Sequence, residues 1–376
     1  MADLDELSER FRNFAHTTTR RAPLYSQLSA GIADDPEVIA LLAAAPTGQQ
    51  APVLLFAAVH ALLLADTVGD GVRDDAAAAL AAFYPNLAEQ PAEGDAYPHF
   101  RRYALGRADE VKAIVATTST QTNEVGRCAQ FVPALSLLEA EMGPMAMIDV
   151  GTSAGLNLLL PHYSYEYTPG GTVGEPSTVH LECQNRGGVP VPATMPAVVA
   201  GVGIDRSPID VFDDAAVRWL EACVWPDQAD RFQRLVAAVG LAREHPADVR
   251  RGDATHDLPS VVREMAGHGH PVVVNSWVLS YFSASERLDY VAMLDALGSE
   301  LDLSWLIAES PSQTPELPVP TTAPEPEHVT VLTLVRWRHG TRSVQRLATT
   351  HPHGFWLQWE HDITAGASDG ASPPPC

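Results

Sequence analysis

Residues 147–160 read MIDVGTSAGLNLLL, and the fold turns on how this stretch is read. An apolar run that closes on Asp149 and Val150 has the make-up of a strand buried on both faces. Gly151-Thr152-Ser153-Ala154-Gly155 follows as a tight turn, and Leu156 to Leu160 resumes the apolar character. Such a turn has two chemical readings. It matches the G-x-S-x-G elbow that exposes a serine nucleophile above an α/β sheet, and it matches a glycine loop whose backbone approaches a nucleoside cofactor.

Outward from this stretch, the chain changes character. Before residue 143 the segments LDELSERFRNFA, DPEVIALLAAA and APVLLFAAVHALLLA carry apolar residues at three- and four-residue spacing, with Asp or Pro near their starts, and predict helices. Residues 69–95 mix Ala-rich helix with turn signals, and helical spacing returns up to about Thr117. QTNEVGRCAQFVPALSLLEAEMGP is a polar entry into one more helix, stopped by Gly143-Pro144. After it come short β-branched runs, AMIDV, AVVAGVGID, PVVVNSWVL and LSWLIAES, alternating with helical segments. That alternation predicts a parallel sheet covered on both faces.

The expected organisation is a helical domain over residues 1–142, an α/β domain over 143–362 and a disordered tail over 363–376. Residues 161–196, rich in Gly, Pro and Tyr, read as an insertion holding a hairpin. The Pro-rich stretch after Ser310 reads as a linker, and VTVLTLVRW, RSVQRLATT and GFWLQW read as antiparallel strands closing the sheet edge.

Composition excludes several classes. With 24 basic against 47 acidic residues, the net charge of −23 disfavours nucleic acid and anionic membrane surfaces as partners. VLLFAAVHALLL, Val53 to Leu64, falls short of the roughly 20 residues of a membrane helix and carries His60, so it reads as a buried core helix. The start MADLDELSERF lacks the pattern of a secretory signal, which predicts a cytoplasmic protein. Cys128, Cys183, Cys223 and Cys376 lie far apart without a C-x-x-C pair, so neither a zinc site nor a disulfide framework is expected.

For the serine reading, Ser153 would be the nucleophile, with Asp253 and then His351 or His353 following in triad order. With 14 histidines that order carries little weight, and no HGGG-type oxyanion loop precedes it. The cofactor reading makes more use of the sequence. Asp149 can orient the loop or a cofactor's amino-acid end, and Gly151 and Gly155 let the backbone come close to a ligand. Asp205, ending the second strand in GVGIDRSPID, is placed to accept from ribose hydroxyls.

These residues carry a resemblance. DVGTSAG resembles the first motif of class I S-adenosylmethionine-dependent methyltransferases, with Ser153 where the central glycine stands. GIDRSP is similar to their second-strand motif, and RGDATHDLP to the segment before their fourth strand. The resemblance covers roughly residues 146–359 and implies a Rossmann-like methyltransferase sheet, mostly parallel with an antiparallel C-terminal edge. It further implies S-adenosyl-L-methionine as cofactor and S-adenosyl-L-homocysteine as product. Asp149 and Gly151 would hold the methionine portion, Asp205 the ribose and Asp253 the adenine, with Thr152, Ser153, Gly155, Asn157 and Ala254 as further candidates for cofactor contact.

Asp205 follows Asp149 at well over the roughly 20 residues usual for a ribose acid, an excess assigned to the Tyr-rich insertion. VVVNSWVLSYF lacks the Asp/Asn-Pro-Pro-Tyr signature of amino-group methyltransferases. Taken whole, with QTNEVGRCA, GTSAGLNLL, GIDRSPIDV and VWPDQADR, the chain also resembles a bacterial family defined only as a domain of unknown function.

Methyl transfer is an in-line displacement, so the protein has to position the acceptor, exclude water and, where needed, take a proton. Asn275 and Ser276 end the third major strand and are candidates for cofactor or substrate contact, with strand-end capping as the plain alternative. Trp277 and Tyr281 offer an aromatic wall, or packing against the next helix. His256 is a candidate base or an exposed loop histidine, and His353, with His351 beside Trp356 and Trp359, is a catalytic candidate suited to an aromatic substrate or a hydrolytic triad, or part of a strand whose alternate aromatics pack on the core. Asn123 and Arg127, with Glu124, form a polar cluster in which Arg127 suits a cofactor carboxylate. Tyr163 to Tyr167 line a site mouth or alternate in a hairpin.

The function expected is S-adenosylmethionine-dependent methyl transfer to a small molecule, selected by a helical domain that caps the site. The other classes are different sulfonium chemistry, a non-catalytic binding module, and a serine hydrolase using the GTSAG elbow. Oligomeric state is not readable.

Overall fold

Continuous apolar runs make strands here because both faces of the sheet are covered. β1 (Met145–Val150) is buried at all six positions, as is β8 (Leu303–Glu309) at all seven. The computed structural model describes residues 4–67, 74–320 and 329–364, the last four of these by backbone alone. The expected tail and part of the Pro-rich segment, residues 365–376 and 321–328, lie outside the described residues, as do residues 68–73 of the Ala-rich stretch and Cys376.

Two compact units form, residues 1–123 with 209–239, and residues 124–208 with 240–376. The expected domain boundary at residue 142 therefore moves to 123. The reason is local: α8 (Cys128–Met142) packs on β1. Residues 209–239, expected to flank the sheet, join the helical unit. There α9 (Asp214–Ala222) lies against α4 (Pro52–Thr67), and the Ala222 carbonyl is 3.1 Å from His60 Nδ1.

The helical unit is organised around Phe56, on whose ring Tyr25 stacks at 4.3 Å while Phe11 and Phe100 meet it edge-on. α4 is apolar on every side and buried, as its composition predicts. Its single polar ring, His60, is fully buried, bonds Asn86 through Nε2, and is held neutral by burial, with its pKa pushed down to about 4. Among the described residues, no helix is long and apolar enough to cross a membrane.

The second unit holds one 11-stranded sheet in the order β3-β2-β4-β11-β10-β9-β8-β7-β1-β5-β6. Its members are β2 (Ser164–Thr168), β3 (Gly171–Val173), β4 (His180–Asn185), β5 (Val198–Asp205), β6 (Asp248–Arg251), β7 (His270–Ser276), β9 (Thr330–Arg338), β10 (Thr341–Thr350) and β11 (Trp356–Thr364), with β1 and β8. β6, β5, β1, β7 and β8 are mutually parallel. The chain moves outward from β1 to β5 and β6, then returns to the other side of β1 with β7 and β8. β1 and β7 therefore flank the point where strand order reverses, where open α/β sheets bind ligands.

Three features depart from the sequence expectations. β6, with the residues Asp248-Val249-Arg250-Arg251, is a polar edge strand that apolar patterning does not reveal; its charges suit an unpaired edge. β9, β10 and β11 are antiparallel as expected but do not close the sheet. β11 pairs with β4 of the insertion, and β2 and β3 carry the sheet onward. The strand β11 also extends to Thr364, past the expected start of the tail at 363. The insertion does hold the hairpin β2–β3, and β4 adds a third strand parallel to β2.

Candidate functional site

The glycine loop leaves β1 at the switch point and is built on left-handed backbone. Gly151 (φ +74°), Ser153 (φ +52°) and Gly155 (φ +74°) all lie in the region that favours glycine. A Cβ on Gly151 would stand 2.2 Å from Val278 Cγ2, and one on Gly155 2.6 Å from Val249 Cγ2, so both positions exclude a side chain. Gly203 on β5 is shaped by the same loop: a Cβ there would stand 2.4 Å from Thr152 Cγ2.

Asp149 holds the loop from within. Its carboxylate accepts from Thr152 Oγ1 at 2.7 Å and from Asn157 Nδ2 at 3.3 Å, while Asn157 Oδ1 lies 3.5 Å from the buried Cys128 Sγ. Only 1% of Asp149 is exposed, and burial pushes its carboxyl up to about 7 against the pull of those hydrogen bonds. Of the two roles foreseen for it, this geometry serves the orientation of the loop.

Asp205 ends β5 beside the loop. One carboxylate oxygen accepts from the backbone N–H of Ser153 at 2.8 Å and the other from that of Ser207 at 2.8 Å. A carboxylate offers about four acceptor directions, so Asp205 retains capacity for hydroxyl donors from a ligand.

Asp253 is differently placed. Oδ1 accepts from the Thr255 N–H and hydroxyl and from the His256 N–H, and Oδ2 from Arg206 Nε at 3.0 Å. These bonds hold its carboxyl far below the usual range and fill its acceptor directions. The adenine contact implied by the resemblance is therefore not offered in this conformation. Ala254 packs into the apolar core with Leu258, and His256 is exposed.

Across the switch point, Asn275 is fully buried. Its Oδ1 accepts from Trp305 Nε1 at 2.7 Å and Tyr290 Oη at 3.0 Å, which makes it a core anchor on the face away from Asp149. Trp277 follows with φ +57°, a strained value for a bulky residue, and donates from Nε1 to Thr330 Oγ1 at 2.7 Å. Tyr281 is 75% exposed. Tyr163, Tyr165 and Tyr167 are all buried, their hydroxyls bonded to the carbonyls of Leu156, Leu160 and Ala129. They hold the start of the insertion against residues 156–160 and α8, and line no site mouth.

Arg127 joins the parts. Its guanidinium donates to the Ser276 carbonyl at the end of β7 (3.2 Å) and to the Pro352 carbonyl (2.8 Å), with the Trp277 ring 5.8 Å away. The turn at residues 351–354 is clamped against residues 124–127: a Cβ on Gly354 would stand 2.0 Å from the Gly126 carbonyl oxygen. Within this clamp His353 Nδ1 lies 3.2 Å from Glu124 Oε2. Asn123, by contrast, is the last residue of the helical unit's first segment.

Two acidic residues of this region went unselected in the sequence. Glu124 was visible only as part of a polar cluster. Glu309 ends β8, is fully buried with its carboxyl pushed up to about 7, and accepts from the N–H groups of Val278 and Leu279. The available signal was an acid closing an apolar strand, as at Asp149 and Asp205. Among the described residues no group of three or more His, Cys, Asp or Glu is arranged to hold a metal ion.

A mixed α/β protein with a largely parallel central sheet and a glycine loop at its switch point is thus defined. The chain belongs to the bacterial family of uncharacterized proteins DUF2332, whose model matches residues 8–359. No curated protein and no solved structure matches it.

Proposed function

We propose that the protein binds S-adenosylmethionine at the switch point of a Rossmann-like methyltransferase sheet and transfers its methyl group to a small molecule. The observation that carries this reading is Asp205: a carboxylate at the end of the strand beside β1, fixed to the glycine loop through Ser153 N–H, with acceptor capacity left for ribose hydroxyls. The residues present fit such a cofactor. Gly151 and Gly155 leave room for close approach, and Arg127 brings a cation to the carboxyl end of β7 for a cofactor carboxylate. When bound, the cofactor supplies an electrophilic methyl group on a sulfonium. The chain's part is to hold the loop through Asp149, receive the ribose at Asp205, and position the acceptor over the carboxyl ends of β1 and β7.

Calorimetric titration of the full chain with S-adenosylmethionine and S-adenosylhomocysteine tests the reading. Micromolar binding that Asp205→Ala abolishes is expected. A folded wild type that binds neither compound would overturn it.

One observation favours the serine-hydrolase alternative: the left-handed backbone of Ser153 is what a nucleophile elbow requires. Against it, Asp253, the acid foreseen for that triad, is committed to Arg206 and its own turn. Binding without catalysis, or other sulfonium chemistry, would use the same site, and an acceptor screen separates these from methyl transfer.

A further inference from the structure

VWPDQADR, residues 224–231, belongs to the helical unit and turns the chain from α9 into α10 (Ala229–Glu244). Asp227 in this turn reaches back to α2 (Pro23–Ile32), where its Oδ1 accepts from the Leu24 N–H at 3.0 Å and caps the first turn of the helix. Its other oxygen, Oδ2, is buried and has no hydrogen-bond partner, and among the described residues no Lys, Arg or His forms an ion pair with Asp227. Burial raises its carboxyl above the ordinary range, because the charge is held there without a counter-ion.

Two phenols stand beside it in the same condition. Tyr25 follows Leu24 on α2 and stacks on Phe56, with the Trp225 ring 6.2 Å away. His60, one turn along α4 from Phe56, lies 5.3 Å from Tyr84 between ring centres. Both tyrosines are fully enclosed, and neither hydroxyl has a hydrogen-bond partner. Burial first, and then the charges of Tyr84 and Asp227, hold the Tyr25 phenol well above its ordinary range; burial and Asp227 do the same to Tyr84. The three heads therefore lie within electrostatic reach of one another. His60 supplies them with no donor. Its Nδ1 gives its proton to the Ala222 carbonyl, and Nε2 accepts from Asn86 Nδ2 at 3.0 Å, which leaves Asn86 Oδ1 as one more buried acceptor without a partner.

We infer that the helical unit binds a small primary amine as its ammonium ion, bonded to Asp227 Oδ2 and to the hydroxyl oxygens of Tyr25 and Tyr84. Charge and hydrogen-bonding capacity select this class. A buried carboxylate without a counter-ion is costly, and a cation removes that cost where a neutral alcohol or a water molecule does not. An ammonium carries three N–H donors and no acceptor, which matches one carboxylate oxygen and two phenol oxygens. The rings of Phe56 and Trp225 beside Tyr25 keep the surroundings apolar, which strengthens each of these bonds. Asp227 and Trp225 are half-buried while both phenols are enclosed, which places the entrance at the 224–231 turn. The inference stands apart from the cofactor reading and uses none of its residues.

Calorimetric titration of the full-length protein with methylammonium, ethylammonium and butylammonium chlorides, at an ionic strength held constant with potassium chloride, tests it. Saturable binding of at least one of these amines is expected, and none of tetramethylammonium, which has the charge without an N–H. Asp227→Asn keeps the oxygen that caps α2 and should weaken binding by about tenfold or more, as should Tyr25→Phe and Tyr84→Phe. Without amine, urea unfolding should find the two phenylalanine variants at least as stable as the wild type, because removing a hydroxyl that has no partner leaves no other group unpaired. A folded wild type that saturates with none of the amines overturns the inference. So does tetramethylammonium binding as tightly as the primary amines, or amine binding that Asp227→Asn leaves unchanged. Phenylalanine variants that unfold more easily than the wild type also overturn it, since their hydroxyls would then be engaged within the fold. The wild-type series and the tyrosine variants decide the matter even if Asp227→Asn fails to fold.

Discussion

Asp149→Asn should stabilise the protein in a way that depends on pH. Burial raises the carboxyl of Asp149 from 3.8 to about 7. Below pH 3.8 the folded and unfolded chains both hold the proton, and the burial has no ionisation cost. Between 3.8 and about 7 the unfolded chain releases the proton while the folded chain keeps it, so stability falls by about 1.4 kcal/mol per pH unit. Above 7 both forms are ionised and the loss is constant, about 4 kcal/mol in all. Asparagine keeps an oxygen to accept from Thr152 and Asn157 but cannot ionise, so the variant lacks this slope. The isoelectric point of 4.8 makes pH 5.5 to 8 the practical window. Across it the variant should gain about 2 kcal/mol on the wild type. Urea unfolding followed by fluorescence measures this, and Trp305 and Trp337, both buried in the sheet unit, report on the right part of the chain. Parallel stability curves for the two proteins would refute the reasoning, because they would mean that Asp149 ionises alike in both states.

Other substitutions probe the loop and the strands beside it. Gly151→Ala should cost about 2–5 kcal/mol, from left-handed backbone and overlap with Val278, and should abolish calorimetric binding of S-adenosylmethionine. Asn275→Ala leaves the buried donors of Trp305 and Tyr290 without their acceptor, and chemical denaturation should show a loss of about 2–5 kcal/mol. Ser153→Ala should leave methyl transfer within a few-fold of wild type, since the loop uses the backbone N–H of this residue. A loss of several orders of magnitude in any hydrolytic activity would restore the elbow reading.

The strand-end positions of three candidate residues were legible in the sequence, for a physical reason. Asp149, Gly151 and Asp205 sit at strand ends, where an apolar run stops abruptly at an acid or a glycine, and such breaks show in one dimension. Glu309 has the same signature and passed unselected because no glycine loop follows it. β6 was illegible because an exposed edge strand needs no apolar pattern. Asn275 ends its strand on the face away from Asp149, with Oδ1 accepting from Trp305 and Tyr290, because the face on which a residue falls depends on pairing register. Asp253 looked available and proved to be engaged by Arg206 and its own turn.

By itself the sequence determined the division into a helical and an α/β part, the buried helix α4, the parallel strands and the turn at residues 151–155. All of these follow from periodicity and local backbone chemistry, which act between near neighbours. Only the tertiary structure decided that residues 124–142 belong with the sheet and 209–239 with the helices. It alone brought Glu124 to His353 and Ser276 to Pro352 through Arg127. Those partners lie more than seventy residues apart along the chain, and no local preference encodes which distant side chain will meet which.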